Sequence, residues 1–303
     1  MLEYHLNIYV LGVLCLLCFA SSYILTRIFI VKMINYRYGI DLHKKEKTKV
    51  PEMGGIVPVS LSALVISIFN PLISSVLFIS GLIGVYDDLY KLSPYKKLIL
   101  LGLIGIPIGY LLFGFDIFKI ILLVLGISIS SNLTNMLAGF NGLEIGLGII
   151  SAFFLGIILL LNGDYYGFEI VMVFLASYFG FFILNKYPAK VFPGDVGTLP
   201  IGAFLATIAV WRSIIPEFVI IMMPYIIDAS LKYYSAGITK REEHKPTILG
   251  EDGKLHVISG YLSLPRIILK KKPMKEYDIA FILWSISIFF GVLAVLFNVT
   301  LIK

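Results

Sequence analysis

Long apolar blocks with almost no charge inside them constrain this chain more than any other feature. They run through 6–30, 54–69, 72–88, 98–114, 117–138, 144–161, 167–185, 196–212, 215–233 and 277–300. A helix needs about 20 mostly apolar residues to cross a hydrocarbon core about 30 Å thick. Within that core every backbone polar group needs an internal partner, which a helix supplies. A membrane barrel would alternate polar and apolar residues over segments of about 10, and no such alternation occurs. The blocks therefore read as ten transmembrane helices of an all-α polytopic membrane protein, with one catalytic-size domain over 1–303. Composition agrees: charged residues make up 15% and mean hydropathy is +0.93, whereas soluble domains carry about 25% charge. The turn "FNP" (69–71) separates the second and third blocks. The first block lacks a basic leader and a cleavage site, so it reads as a retained span. Its two cysteines, Cys15 and Cys18, read as packing residues.

Charge sets an orientation. Cytoplasmic loops carry the excess of Lys and Arg. With 31–50 inside and the N-terminus outside, alternation also places 89–97, 186–195 and 234–276 inside. These segments together with Lys232 hold 21 of the 25 Lys and Arg residues. Both termini are then extracytoplasmic. The net charge of +6 is a one-sided surface suited to anionic lipid or an anionic substrate. No soluble basic module exists, so nucleic acid is a poor partner. The long loop 234–276 carries a hairpin signal, "LGEDGKL" (249–255), and a basic amphipathic segment, "LPRIILKKKP" (264–273).

The unusual polar residues fall on that same inner side. Asp87 and Asp88 close the third span. Asn132, Asn135, Asn141 and Glu144 lie in "SNLTNMLAGFNGLE" (131–144). Asp195 follows "FPG" at the start of the eighth span, and Arg241, His244 and Lys245 lie in the inner loop. Ionisable groups in a membrane are costly and point to function. Each motif also has a plain reading. Asp87 and Asp88 could be a solvated helix end paired with Lys91, although acid at a helix C-terminus opposes the macrodipole. Asn132 and Asn135 could be inter-helix hydrogen-bond partners, Asp195 a cap, and the Arg241–Lys245 segment a solvated loop. Taken together, Asp and Asn oxygens without a Cys or His cluster suit Mg²⁺ or Mn²⁺. Carboxylates, a divalent ion, lysines and an arginine describe phosphoryl transfer. No "GxxxxGK[ST]" loop occurs. A secondary transporter is the rival class, but its sites should lie near the bilayer midplane.

The motifs resemble those of the polyprenyl-phosphate N-acetylhexosamine-1-phosphate transferases. The resemblance covers about 40–260 and rests on "DLHK...KVPEMGG" (41–55), "GVYDDLYKLSPYKK" (84–97), "NLTNMLAGFNGLE" (132–144), "FPGDVGTLPIG" (192–202) and "HKPTILGEDGKL" (244–255). "NMLAGFNGLE" and the "HKP...GKL" loop resemble the eukaryotic and archaeal enzymes that load N-acetylglucosamine phosphate onto dolichyl phosphate. The bacterial peptidoglycan enzyme has "DG" where this chain has Asn141-Gly142, and a histidine run where it has Glu242-Glu243-His244. "PYIIDA" (224–229) is closer to the bacterial N-acetylglucosamine branch. Other UDP-N-acetylhexosamines, or an N-acetylmuramoyl-pentapeptide donor, remain alternatives.

The resemblance implies a membrane enzyme with ten spans and a cytoplasmic active site, in the plasma membrane of a prokaryote or archaeon. The reaction is UDP-N-acetylglucosamine plus polyprenyl (dolichyl) phosphate giving polyprenyl diphosphate N-acetylglucosamine and UMP, the first lipid-linked step of glycan assembly. Homodimers are common among such relatives. The expected roles are Mg²⁺ on Asp195 and Asn135, orientation or deprotonation of the lipid phosphate by Asp87 or Asp88, and phosphate attraction by Lys97 and Lys44. Asn132 completes the substrate-binding set on the fifth span, Asn141 and Glu144 contact the nucleotide or hold its pocket, and Arg241, His244 and Lys245 clamp the diphosphate or sugar. Pro224 is expected to kink the ninth span and help open a groove for the isoprenoid.

Overall fold

The apolar blocks form the helices that their length requires. In a computed structural model of the chain, residues 6–44, 48–237 and 247–302 are described. They give α1 (Ile8–Met33), α2 (Ile56–Phe69), α3 (Pro71–Tyr90), α4 (Pro94–Phe113), α5 (Ile117–Met136), α6 (Leu143–Leu161), α7 (Tyr165–Asn185), α8 (Asp195–Trp211), α9 (Ile215–Ile221), α10 (Met223–Ala236), α11 (Leu264–Lys271) and α12 (Glu276–Ile302). Seven of the described helices are long and apolar enough to cross a membrane, namely α1, α3, α4, α5, α6, α7 and α12. The apolar helices α2 and α8 are shorter. The chain is thus an all-α membrane protein.

Local chemistry sets the boundaries. Asn70 caps α3, its Oδ1 accepting from the N–H groups of Leu72 and Ile73, with Pro71 at the first helical position, where its missing N–H and fixed φ cost nothing. Asp116 caps α5 and Asp164 caps α7 in the same way. The ninth apolar block is not one helix. It breaks at Met222 into α9 and α10, with Pro224 in the first turn of α10. The proline read from the sequence as a kink is therefore a helix start.

Among the described residues, two small hairpins sit between the helices. β1 (Tyr38–Asp41) pairs antiparallel with β2 (Thr48–Pro51), and β3 (Ile248–Leu249) with β4 (Leu255–His256). The second pair bears out the turn signal at 249–255. The first was not anticipated. It is short and partly charged, so no alternating apolar pattern announces it. The amphipathic segment forms α11, with Pro265, Arg266 and Leu269 turned inward and Lys270, Lys271 and Lys272 exposed. Among the described residues both cysteines are free thiols.

α8 is the axis. Every residue from Asp195 to Val210 is buried, and α2, α3, α5 and α6 all pack on it. A helix that is apolar all round belongs in the interior. Its neighbours come close because small residues face it. A Cβ on Gly84 of α3 would lie 2.5 Å from the Val196 Cα, and one on Gly202 would lie 2.2 Å from the Ser130 carbonyl carbon of α5. These crossings fix where α3 ends and α5 ends relative to where α8 begins. Gly84→Ala should therefore lower the melting temperature of the detergent-solubilised protein, by overpacking that costs about 1–3 kcal/mol. Gly12→Ala, on an open face of α1 with nothing within 4 Å, should leave it unchanged.

Candidate active site

The tandem carboxylates at the end of α3 do two different things. Successive helical residues point about 100° apart, so Asp88 faces α8 while Asp87 faces α4. α8 begins at Asp195 after Gly194, which has no side chain to cap it. Asp88 fills that role from another helix. Its Oδ1 accepts the Asp195 N–H at 2.9 Å and its Oδ2 accepts the Val196 N–H at 3.0 Å. A carboxylate on the exposed amides of a helix N-terminus is favourable both as hydrogen bonding and through the dipole. This offsets the unfavourable position of Asp88 at the C-terminus of its own helix. Gly194 adopts φ +69°, and a Cβ there would meet Asp88 Oδ2 at 2.6 Å. Arg37 donates to the backbone carbonyl of Asp88.

Asp87 is buried and pairs with the Lys97 ammonium. Its Oδ1 accepts the Leu92 N–H at 2.6 Å. Lys97, in the first turn of α4, also lies 2.7 Å from Asp195 Oδ2. One ammonium thus stands between two buried carboxylates from α3 and α8, a surplus of negative charge that suits a further cation. Across from them, the half-buried Asn135 on α5 accepts from the Thr198 hydroxyl at 3.0 Å through Oδ1. Thr198 is one helical turn after Asp195, hence on the same face. An amide oxygen has two lone pairs, so Asn135 keeps one while Thr198 aims it at α8. The oxygen donors Asp195 and Asn135, with an orienting hydroxyl behind one of them, fit a hard divalent cation.

A second polar network lies beside the first. Asn141, in the turn between α5 and α6, donates its backbone N–H to Glu276 Oε1 at 2.7 Å and its Nδ2 to Asp41 Oδ2 at 2.9 Å and Glu276 Oε2 at 3.4 Å. Both amide hydrogens being engaged, Asn141 offers its Oδ1 as an acceptor. His43 stacks on Phe140, lies 3.3 Å from Glu276 through Nδ1 and 2.8 Å from the Thr247 hydroxyl through Nε2. Lys44 pairs with Asp41 at 3.1 Å. Burial pushes the Asp41 carboxyl up, but hydrogen bonds from Asn141 Nδ2 and the His43 backbone N–H, with Lys44 beside it, hold it below the usual range. Ligand atoms of Asp41, His43 and Glu276 lie within 4.8 Å of one another. The amide of Asn141 and the ammonium of Lys44 already satisfy the two carboxylates. A cavity of about 550 Å³ between the two hairpins, with Leu42, Lys44, Thr247 and Glu251 in its wall, flanks this network.

Most residues singled out from the sequence therefore meet in two adjoining clusters at one end of the bundle. Asp87, Asp88, Lys97 and Asp195 are in direct contact, and Asn135 joins through Thr198. Asn141 and Lys44 join the second cluster through Asp41. Glu144 holds the turn before α6, its Oε1 accepting the Gly139 N–H at 3.0 Å. Asn132 donates to the Ser128 carbonyl of its own helix at 2.8 Å. Arg241, His244 and Lys245 lie outside the described residues. Sequence reasoning passed over Thr198, Asp41, His43 and Glu276. The first three stand inside or beside quoted motifs. Glu276 carries no local signal, because it is brought in by the end of a helix 135 residues away from Asn141.

The chain matches the family described as "Glycosyl transferase family 4" over residues 70–213. It is 53% identical over 300 residues to a "Putative glycosyltransferase" of Methanocaldococcus jannaschii, covering 98% of each chain. It is 34% identical over 295 residues to a "Putative UDP-N-acetylglucosamine--dolichyl-phosphate N-acetylglucosaminephosphotransferase" of Sulfolobus acidocaldarius, covering 86% of this chain and 87% of the other. To the phospho-N-acetylmuramoyl-pentapeptide-transferase of Streptococcus thermophilus it is 27% identical over 281 residues, 80% of this chain and 82% of that one.

The cap on α8 makes a separable prediction. Asp88→Ala removes both acceptors and should destabilise the protein by about 1–2 kcal/mol, the usual cost of a lost cap, read as a lower melting temperature. Asp88→Asn keeps one acceptor and should fall between that variant and the wild type.

Proposed function

Since this chain belongs to glycosyl transferase family 4, we propose that it transfers N-acetylglucosamine 1-phosphate from UDP-N-acetylglucosamine to a membrane polyprenyl (dolichyl) phosphate. It is a membrane-embedded polyprenyl-phosphate hexosamine-1-phosphate transferase. The choice of donor follows the names of the two archaeal relatives at 34% and 30% identity, the second from Saccharolobus solfataricus. The Oδ1 of Asn141 suits the uracil N–H that all UDP-sugar donors share.

The observation that carries the chemistry is the Asp87–Lys97–Asp195 bridge. An oxygen of the lipid phosphate attacks the sugar-linked phosphorus of the donor, a P–O bond forms, the bond to the other phosphate breaks, and UMP leaves with the electron pair. A phosphate monoester is already largely anionic near pH 7, so the acceptor needs placing more than deprotonating. Both oxygens of Asp88 are taken by backbone amides, which supports Asp87 as the carboxylate that orients the acceptor through Lys97. Lys97 then meets the phosphate oxygens on which charge builds up. Asp195 and Asn135 would hold Mg²⁺, which when bound neutralises the diphosphate. The Asp41–Asn141–Glu276 network would hold the nucleotide end, and Arg241, His244 and Lys245 would clamp the diphosphate or sugar.

The membrane placement follows the same reading. α2 and α8 complete the crossings begun by the seven long helices, and α9 with α10 makes one interrupted crossing, ten in all. The site end faces the cytosol with the basic loops, and both chain termini lie outside. The acceptor cannot leave the bilayer while the donor is soluble, so a site at the membrane edge serves both.

Purified protein with Mg²⁺, a short polyprenyl phosphate and a panel of UDP-sugars should release UMP with UDP-N-acetylglucosamine as the preferred donor. Release with a muramoyl-pentapeptide donor instead would reassign the substrate, and no release from any donor would remove the proposal. Asp195→Asn should raise the Mg²⁺ needed for half-maximal rate about 10-fold or more, the scale of a weakened ligand set. Replacing Mg²⁺ by Mn²⁺ in the same assay should retain turnover.

A further inference from the structure

The buried ion pair of α10 is unused by the mechanism above. Asp228 is 0% exposed, and its Oδ2 lies 2.8 Å from the Lys232 ammonium one turn later. Neither group is idle. Lys232 donates to the backbone carbonyl of Met136, one of the last carbonyls of α5, which its own helix leaves without a partner. A cation at a helix C-terminus is also favoured by the dipole. Asp228 accepts the N–H of Leu264 at 2.9 Å through Oδ1, one of the open amides at the start of α11. A single pair on the second half of a broken helix thus closes the ends of two other helices. Ser235 adds a third tie, accepting the Leu262 N–H at 2.7 Å.

Met136 directly follows Asn135. The carbonyl that Lys232 holds belongs to the turn of α5 that sets Asn135 against Thr198, one turn after Asp195 on α8. On the other side of this turn, α5 is pinned by Gly202 packed against Ser130 and by Thr134, whose hydroxyl donates to the Thr198 carbonyl at 3.0 Å. The end of α5 is therefore held between α8 and α10, and Lys232 is the charged contact on the α10 side.

We propose that Lys232, set by Asp228, is a positioning residue for the cation–diphosphate site, fixing the end of α5 so that Asn135 stays opposed to Asp195. The proposal deepens the transferase reading and rests on it for the identity of the site. Neither Lys232 nor Asp228 touches the reacting atoms.

The test uses full-length Lys232→Met, Lys232→Arg and Asp228→Asn, with two readouts. One is the Mg²⁺ concentration giving half-maximal UMP release. The other is the thermal shift produced by Mg²⁺ with UMP, which needs no turnover. Lys232→Met should raise the half-maximal Mg²⁺ about 10-fold, as loss of an outer partner of a metal ligand does, while kcat at saturating Mg²⁺ is kept and the thermal shift shrinks. Lys232→Arg should restore both readouts. Asp228→Asn retains an oxygen for the Leu264 N–H and should show the same change in Mg²⁺ dependence to a smaller extent. Unchanged Mg²⁺ dependence and an unchanged thermal shift in Lys232→Met would overturn the proposal. So would a collapse of melting temperature without Mg²⁺ in all three variants, since the pair would then support the bundle rather than the site. A wild type that releases no UMP sinks the transferase reading separately, and the thermal-shift comparison still decides the role of Lys232.

Discussion

The Asp88 carboxylate on the first amides of α8 is the contact from which the rest of the site takes its geometry. α8 is buried along its length and starts after a glycine, so its N-terminus needs an acceptor from elsewhere. Asp88 supplies two, and in doing so locks the last turn of α3 to the first turn of α8. Once these turns are locked, Asp87 and Asp195 have nowhere to go but either side of Lys97. The adjacent acids are therefore not redundant. One caps α8, and the other pairs with Lys97.

Burial makes such arrangements expensive unless charges are paired. The two networks meet that demand differently. Around Lys97, two carboxylates share one ammonium. Around Asn141, amide hydrogens and Lys44 satisfy Asp41 and Glu276 locally. The first network holds charges paired across helices, the second holds a turn and a hairpin together.

Much of this was legible from residue order. Hydropathy marked nearly every helix within a few residues, because a membrane span is a one-dimensional requirement. The charge asymmetry placed Asp87, Asn135, Asn141 and Asp195 on one side, and the structure does bring them to one end of the bundle. The interrupted ninth block was only partly legible. Pro224 signalled a disturbance, but whether a proline bends a helix or starts one depends on how the preceding residues pack. The β1–β2 hairpin and Glu276 were not legible at all, since pairing in a four-residue strand and a contact across most of the chain leave no periodicity to read.

Residue order by itself determined that this is a helical membrane protein and marked Asp87, Asp88, Lys97, Asn135 and Asp195 as polar groups at helix ends. Those conclusions depend only on the cost of exposing backbone and charge to hydrocarbon. Tertiary structure alone decided which of two neighbouring aspartates caps a helix and which faces a lysine, and that α10 holds the end of α5. Such choices depend on the rotation and closeness of helices, which glycine contacts at Gly84 and Gly202 set across distances the linear chain does not encode.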